Sequence, residues 1–188
     1  APGELRHGRR PLPEHYEPFE SPADNKLNGR QNSPCVRFAE FESVKRGDRS
    51  QYPIAVTTYS VTEHWQTGGQ TRTCPALNEA MPEQFVEMSV ELAAEKGIEN
   101  GERVRVFNNR GSVEVMALVT PRFKPFKVNG ETVHQVGMTH HFGWAGDFAT
   151  GDIVNDLPPN VGRPELLGAR VQGVPRRHRE GIGGVSYE

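Results

Sequence analysis

The stretch "TTYSVTEHWQTGGQTR", Thr57 to Arg72, carries hydroxyls at Thr57, Thr58, Ser60, Thr62, Thr67 and Thr71, an amide at Gln66, and ionisable groups at Glu63, His64 and Arg72. Trp65 adds a flat ring, and Gly68 and Gly69 let backbone N–H groups approach a ligand closely. Donors at this density suit an oxygen- and nitrogen-rich ligand with a planar part. A polar surface loop that satisfies its own backbone has the same composition, so pattern alone leaves both readings open. Acid–base catalysis by Glu63 and His64 as a pair is disfavoured, because adjacent residues on an extended segment point apart.

Other reactive side chains are sparser. His134, His140 and His141 lie in "HQVGMTHH", which has no carboxylate at a recognisable ligand spacing, so they read as histidines satisfied by backbone rather than as a metal centre. Cys35 and Cys74 lack the paired spacings of a zinc or iron–sulfur site and read as free thiols, or as a pair if they lie close. Thr139 and Phe142 read as barrel-lining residues. Asn155 is different: it sits in the apolar stretch from Ile153 to Leu157, where a buried amide would need a partner. The cluster Arg176, Arg177, His178 and Arg179 reads as a solvated tail rather than a nucleic-acid arm, since the chain's formal charge is only −2.

The elements that must position these residues begin near Tyr52. "YPIAVTT" and "EQFVEMS" read as buried strands, and "RVRVFN", "NRG" and "SVEVMALVT" as a strand, a tight turn and a strand with clear alternation. "SVELAAEKGIENG" reads as a short helix capped by Ser89, with Glu91 in its first turn, Lys96 in its last and Gly97 at a left-handed exit. Asn129-Gly130 signals a hairpin, and "GARVQGV" a final strand. Many short strands with one clear helix predict a mainly β fold, a barrel or sandwich. At 188 residues and 35% hydrophobic content the chain supports one core. Residues 1–50 are broken by prolines and read as an extended arm packing on the barrel or on another surface, with Tyr16 and Phe19 as anchors, although composition alone leaves a disordered lead-in equally open; 51–175 form the barrel and 176–188 a polar tail. No run approaches the roughly 18 apolar residues of a membrane span.

At the loop the sequence resembles the C-terminal molybdopterin-dinucleotide-binding domain of molybdenum and tungsten oxidoreductases of the dimethyl sulfoxide reductase superfamily. Outside it, "PEHYEPFE", "QFVEMSVELAAEKGIENGERVRV", "NRGSVEV", "VHQVG" with "HFGW", and "GDIVNDLPPNVG" resemble the large subunit of formate dehydrogenases. The resemblance implies a six-stranded double-psi β-barrel with short helices and an extended N-terminal arm. It assigns cofactor binding to Thr58, Tyr59, Ser60, Val61, Thr62, Glu63, His64, Trp65, Gln66 and Thr67, to His141 and Trp144 in a loop facing the cofactor, and to Asn155 on the pterin. Leu167 stands where many relatives carry a lysine, leaving Arg163 or Arg170 as substitutes for that contact.

The cofactor implied is bis(molybdopterin guanine dinucleotide) with Mo or W, bound together with other domains. No catalytic residue, metal ligand or iron–sulfur cluster is assigned to this chain. The function implied is that of the cofactor-cradling part of a formate dehydrogenase, oxidising formate to CO2 or the reverse, with the isolated chain inactive. Implied partners are the remainder of the large subunit and its iron–sulfur electron-transfer subunit, with no nucleic acid. Relatives with this arm are often exported folded, which favours the periplasm over the cytoplasm. The alternatives are a stand-alone subunit, as in formylmethanofuran dehydrogenases, or a non-redox double-psi adaptor domain.

Overall fold

The computed structural model describes residues 15–17, 20–27, 29–31, 49–143 and 152–158, and the backbone of 167–173. In chain order the elements are β1 (Ile54–Tyr59), α1 (Pro75–Ala80), β2 (Phe85–Ser89), α2 (Val90–Lys96), β3 (Arg103–Phe107), β4 (Ser112–Thr120), β5 (Phe126–Val128), β6 (Glu131–Val133), β7 (Gln135–Thr139) and β8 (Leu167–Gly173). Short 3-10 turns occupy Thr71–Thr73 and Val154–Asp156.

Six strands close a barrel in the order β1-β7-β2-β4-β3-β8, while β5 and β6 form a separate hairpin. Alternation places Val104, Val106, Val113, Val115 and Ala117 inward, where they meet Val86, Met88, Val136 and Met138. Burying such side chains stabilises the fold by about 1.5–3 kcal/mol for each large one. Closure also removes the unpaired strand edges that an open sheet would expose.

Two pairs are parallel, β1 with β7 and β2 with β4, and the other four contacts are antiparallel. These registers fix which ends of the strands meet. Tyr59 ending β1 lies beside Thr139 ending β7, Val86 near the start of β2 opposes Met138, and Phe107 ending β3 opposes Ser112 starting β4. Leu167 at the start of β8 opposes Val56 in the second half of β1's pairing, and Arg170 opposes Phe107. One rim therefore gathers the segments after β1 and β7, the β3–β4 turn and the approach to β8.

Local signals in the sequence act as their chemistry dictates. Ser89 accepts from the Leu92 N–H at 3.1 Å, and α2 ends at Gly97 with φ 64°. Asn129 and Gly130 both take positive φ, as the tight β5–β6 turn demands. Helix α1 was not expected, although Pro75 at its first turn is a start signal. Among the described arm residues there is neither helix nor strand, yet the arm does not run straight. Glu17 N–H donates to Gln31 O at 2.8 Å, and the Asn25 amide donates to the carbonyls of His15 and Arg30, closing a loop. Ala23 of this loop packs against Ala55, Val128 and Val133. Among the described residues, no helix is long and apolar enough to cross a membrane.

Candidate functional site

The segment after β1 turns most of its polar groups outward and His64 inward. Thr58 near the end of β1 and Ser60, Thr62, Gln66 and Thr67 beyond it are exposed, and Trp65 is 63% exposed. Val61 and Glu63 are half-buried. Gln66 adopts φ 45°, and Gly68 follows at φ 76° with the His141 carbonyl oxygen directly where a Cβ would sit. Only glycine permits that approach.

His64 is 5% exposed and fully engaged by the protein. Its Nε2–H donates to the Met81 carbonyl at 2.8 Å, and its Nδ1 accepts from the Thr71 hydroxyl at 3.2 Å. That hydroxyl in turn accepts from the Trp65 N–H at 3.1 Å, so one side chain orders the turn beneath the exposed indole.

His141, fully buried, performs the same task from the other strand. Its Nε2 accepts from the Val61 N–H at 2.9 Å and its Nδ1–H donates to the Gln66 carbonyl. These partners permit only the neutral Nδ1–H tautomer. Burial lowers its proton affinity below the usual imidazole value; the Gln66 bond opposes this, and the nearby His140 and His64 add to it. The histidine expected to face a ligand thus faces the loop, and supports that loop's exposed donors. His134 is remote, at the start of β7, where it pairs with Glu95 at 3.1 Å. Among the described residues no group of three His, Cys, Asp or Glu is placed to hold a metal ion.

Tyr59 is also anchored. Its hydroxyl donates to Glu87 Oε2 at 2.6 Å, and the same buried carboxylate accepts from Thr120 and from Arg122 Nε, each at 2.8 Å. Burial resists ionisation of Glu87, but the bonds from Arg122, Tyr59 and Thr120 outweigh it and hold the carboxyl below its usual range. Burial, followed by the bond to Glu87, pushes the Tyr59 phenol well above its ordinary value. The end of β1, from which the loop departs, is tied to β2 and to the end of β4.

Asn155 occupies the same rim. Gly143, two residues past His141, packs against Ile153, and Leu157 O accepts from Asn108 Nδ2 at 2.7 Å at the end of β3. The expectation that its apolar neighbours would bury this amide is corrected: Val154 and Leu157 turn inward, and the 3-10 turn leaves Asn155 exposed. The structure therefore gathers the loop, His141 and Asn155. Trp144, Cys35, Phe19, Arg163 and the Arg176–Arg179 cluster lie outside the described residues, as does the side chain of Arg170. Cys74 is exposed and free. Missed by sequence reasoning were Arg110 and Asn108, whose only signal was the "NNRG" turn, and Gln84, which holds Thr139 O at 2.5 Å.

Comparison with known proteins adds chemistry to this geometry. Residues 54–164 match the family described as the molydopterin dinucleotide binding domain. Formate dehydrogenase 2 subunit alpha (cytochrome c-553) of Nitratidesulfovibrio vulgaris is 45% identical over 162 residues, which is 82% of this chain and 16% of that one. The nitrate-inducible formate dehydrogenase major subunit of Escherichia coli is 46% identical over 154 residues, 81% of this chain and 15% of that one. Among solved structures, acetylene hydratase from Pelobacter acetylenicus aligns with a TM-score of 0.46 at 14% identity, covering 67% of this chain and 19% of that one. The chain spans about a sixth of the length of the curated relatives named here.

Proposed function

The chain belongs to the molydopterin dinucleotide binding domain family, and on that premise we propose that it is the cofactor-cradling part of a formate dehydrogenase large subunit. The finer fold reading is a double-psi barrel, supported by the two parallel pairs β1·β7 and β2·β4 within one closed sheet. The observation that carries the functional reading is the shared rim. Exposed hydroxyls and amides of Thr58, Ser60, Thr62, Gln66 and Thr67 stand on the same end of the barrel as the exposed Asn155 amide.

The donor set fits the group. A pterin is planar and amide-rich, and neutral donors converging in a backbone nest hold a pyrophosphate without a cation. Asn155 would bond the pterin, the loop's hydroxyls and N–H groups the dinucleotide, and Trp65 offers a face for a purine. When bound, the cofactor supplies the Mo or W centre at which formate is oxidised to CO2 or CO2 reduced. This chain contributes binding and orientation, while the metal ligand, the reacting side chains and the electron relay reside in the rest of the large subunit and its iron–sulfur partner. The chain alone is expected to be silent with formate and to bind the dinucleotide weakly, because the cofactor would lie between this barrel and other domains.

The test is Asn155→Leu in the assembled enzyme. Unpaired pterin groups should cost roughly 1–3 kcal/mol, lowering pterin dinucleotide content and formate turnover while the barrel stays folded. Full cofactor content and full turnover in this variant would remove the reading.

A further inference from the structure

We propose that Arg110 is a positioning residue for Asn155, joining the rim segment that carries this amide to Glu20 of the N-terminal arm. This rests on the reading of Asn155 as a cofactor contact. The geometry is specific to a guanidinium. Nη1 and Nη2 of Arg110 donate to the two oxygens of Glu20, each at 2.8 Å, and Nε donates at 2.8 Å to the carbonyl of Leu157, two residues beyond Asn155. A fork of fixed planarity thus serves two segments at once, which the single ammonium of a lysine cannot do.

The turn beneath Arg110 reinforces the tie. Asn108 Oδ1 accepts from the Arg110 N–H at 2.8 Å and the Gly111 N–H at 3.1 Å, while its Nδ2 donates to the same Leu157 carbonyl at 2.7 Å. Gly111 meets Asp156 so closely that a Cβ would strike the Asp156 carbonyl. The 3-10 turn bearing Asn155 is therefore held from one side by the β3–β4 turn. Glu20, with its side chain 3% exposed, completes the pair from the arm. A carboxylate buried to that degree is costly unless its partner is fixed, so arm and rim are set in place together. The arm thereby shapes the ligand-binding edge of the barrel.

The experiment uses the assembled enzyme with Arg110→Lys, Glu20→Gln, Asn155→Leu and the Arg110→Lys/Asn155→Leu double variant. Two quantities are read: amide hydrogen exchange at Asp156 and Leu157, and retained pterin dinucleotide per chain. Arg110→Lys and Glu20→Gln should speed exchange at both amides about tenfold or more, as loss of a charge-assisted bond implies, and lower dinucleotide retention. Asn155→Leu should lower retention without changing exchange, and the double variant should retain no less than Asn155→Leu alone, because both act through one contact. Unchanged exchange in Arg110→Lys and in the shape-conserving Glu20→Gln overturns the tie itself. Faster exchange with native retention, or additive losses in the double variant, overturns the route through Asn155. Native retention in Asn155→Leu defeats the cofactor reading and this role with it, while the exchange result still reports whether the tie exists.

Discussion

The Val61 N–H and the His141 Nε2 meet at 2.9 Å across 80 residues of chain, and the other nitrogen of the same ring holds the Gln66 carbonyl. One imidazole thereby spans a five-residue step of the polar loop. The loop's exposed donors owe their arrangement to a side chain no ligand needs to touch.

Replacing that ring separates its two duties. His141→Gln places an acceptor near Val61, His141→Asn keeps a donor toward Gln66, and His141→Phe removes both. The Phe variant should lose roughly 2 kcal/mol or more in urea denaturation, with the single-duty variants between it and the native chain. Cleavage within residues 60–70 by limited proteolysis should follow the same order. A Phe variant as stable and as resistant as the native chain would refute the tie.

Acid should loosen the same loop. The folded pKa of His141 lies below its ordinary 6.5, burial being the main cause. The unfolded chain therefore binds more protons in the interval between the two values, and stability rises with pH there. His141's contribution is complete above about 6.5 and is lost as pH falls through the folded value. The groups facing it are His140, with ring centroids 4.4 Å apart, and His64 at 6.0 Å, with Arg72 beyond Phe142. Denaturation midpoints measured from pH 8 to pH 5 should decline in the native chain and decline less in His141→Gln. A native profile flat over that interval would contradict the neutral ring.

Two glycines with similar dihedral angles should respond differently to a methyl group. Gly97 has φ 64° and open space around it, so Gly97→Ala costs only left-handed strain, about 1–2 kcal/mol. At Gly68, φ 76° is joined by a clash with the His141 carbonyl and contact with Arg72. Gly68→Ala should be clearly the more costly and should shift the His141 ring signals in NMR spectra. Equal losses for the two variants would show that the close approach is unimportant.

Tyr59→Phe removes a bond to a buried carboxylate and should cost about 1.5–3 kcal/mol in thermal or urea denaturation. Arg122→Gln should cost less than a buried ion pair would, because the Arg122 side chain is 64% exposed and solvent screens it. If the Phe variant unfolds at the native midpoint, Glu87 finds an equivalent donor elsewhere.

The strands, the Ser89 cap, the Gly97 exit and the Asn129-Gly130 turn were legible because each depends on residues within a few positions of one another. The polar loop was legible as a candidate site for the same reason. The inward rotation of His64 and His141 was not, since it depends on partners such as Met81, Val61 and Gln66, brought near only when β1 and β7 pair. Asn155 misled for a related reason: an apolar neighbourhood in sequence says nothing about which face of a single 3-10 turn looks outward. Arg110 and Glu20 escaped notice because a charge-to-charge contact across so much chain leaves no local pattern.

The barrel order also governs when the domain can form during synthesis. Strand β1 pairs only with β7 and β8, both made after β2, β3 and β4. On a ribosome, Ile54–Tyr59 emerges well before either of its sheet partners, so its pairing waits for β7 and β8. Closure of the sheet is thus tied to its late strands, the biosynthetic counterpart of its closed topology.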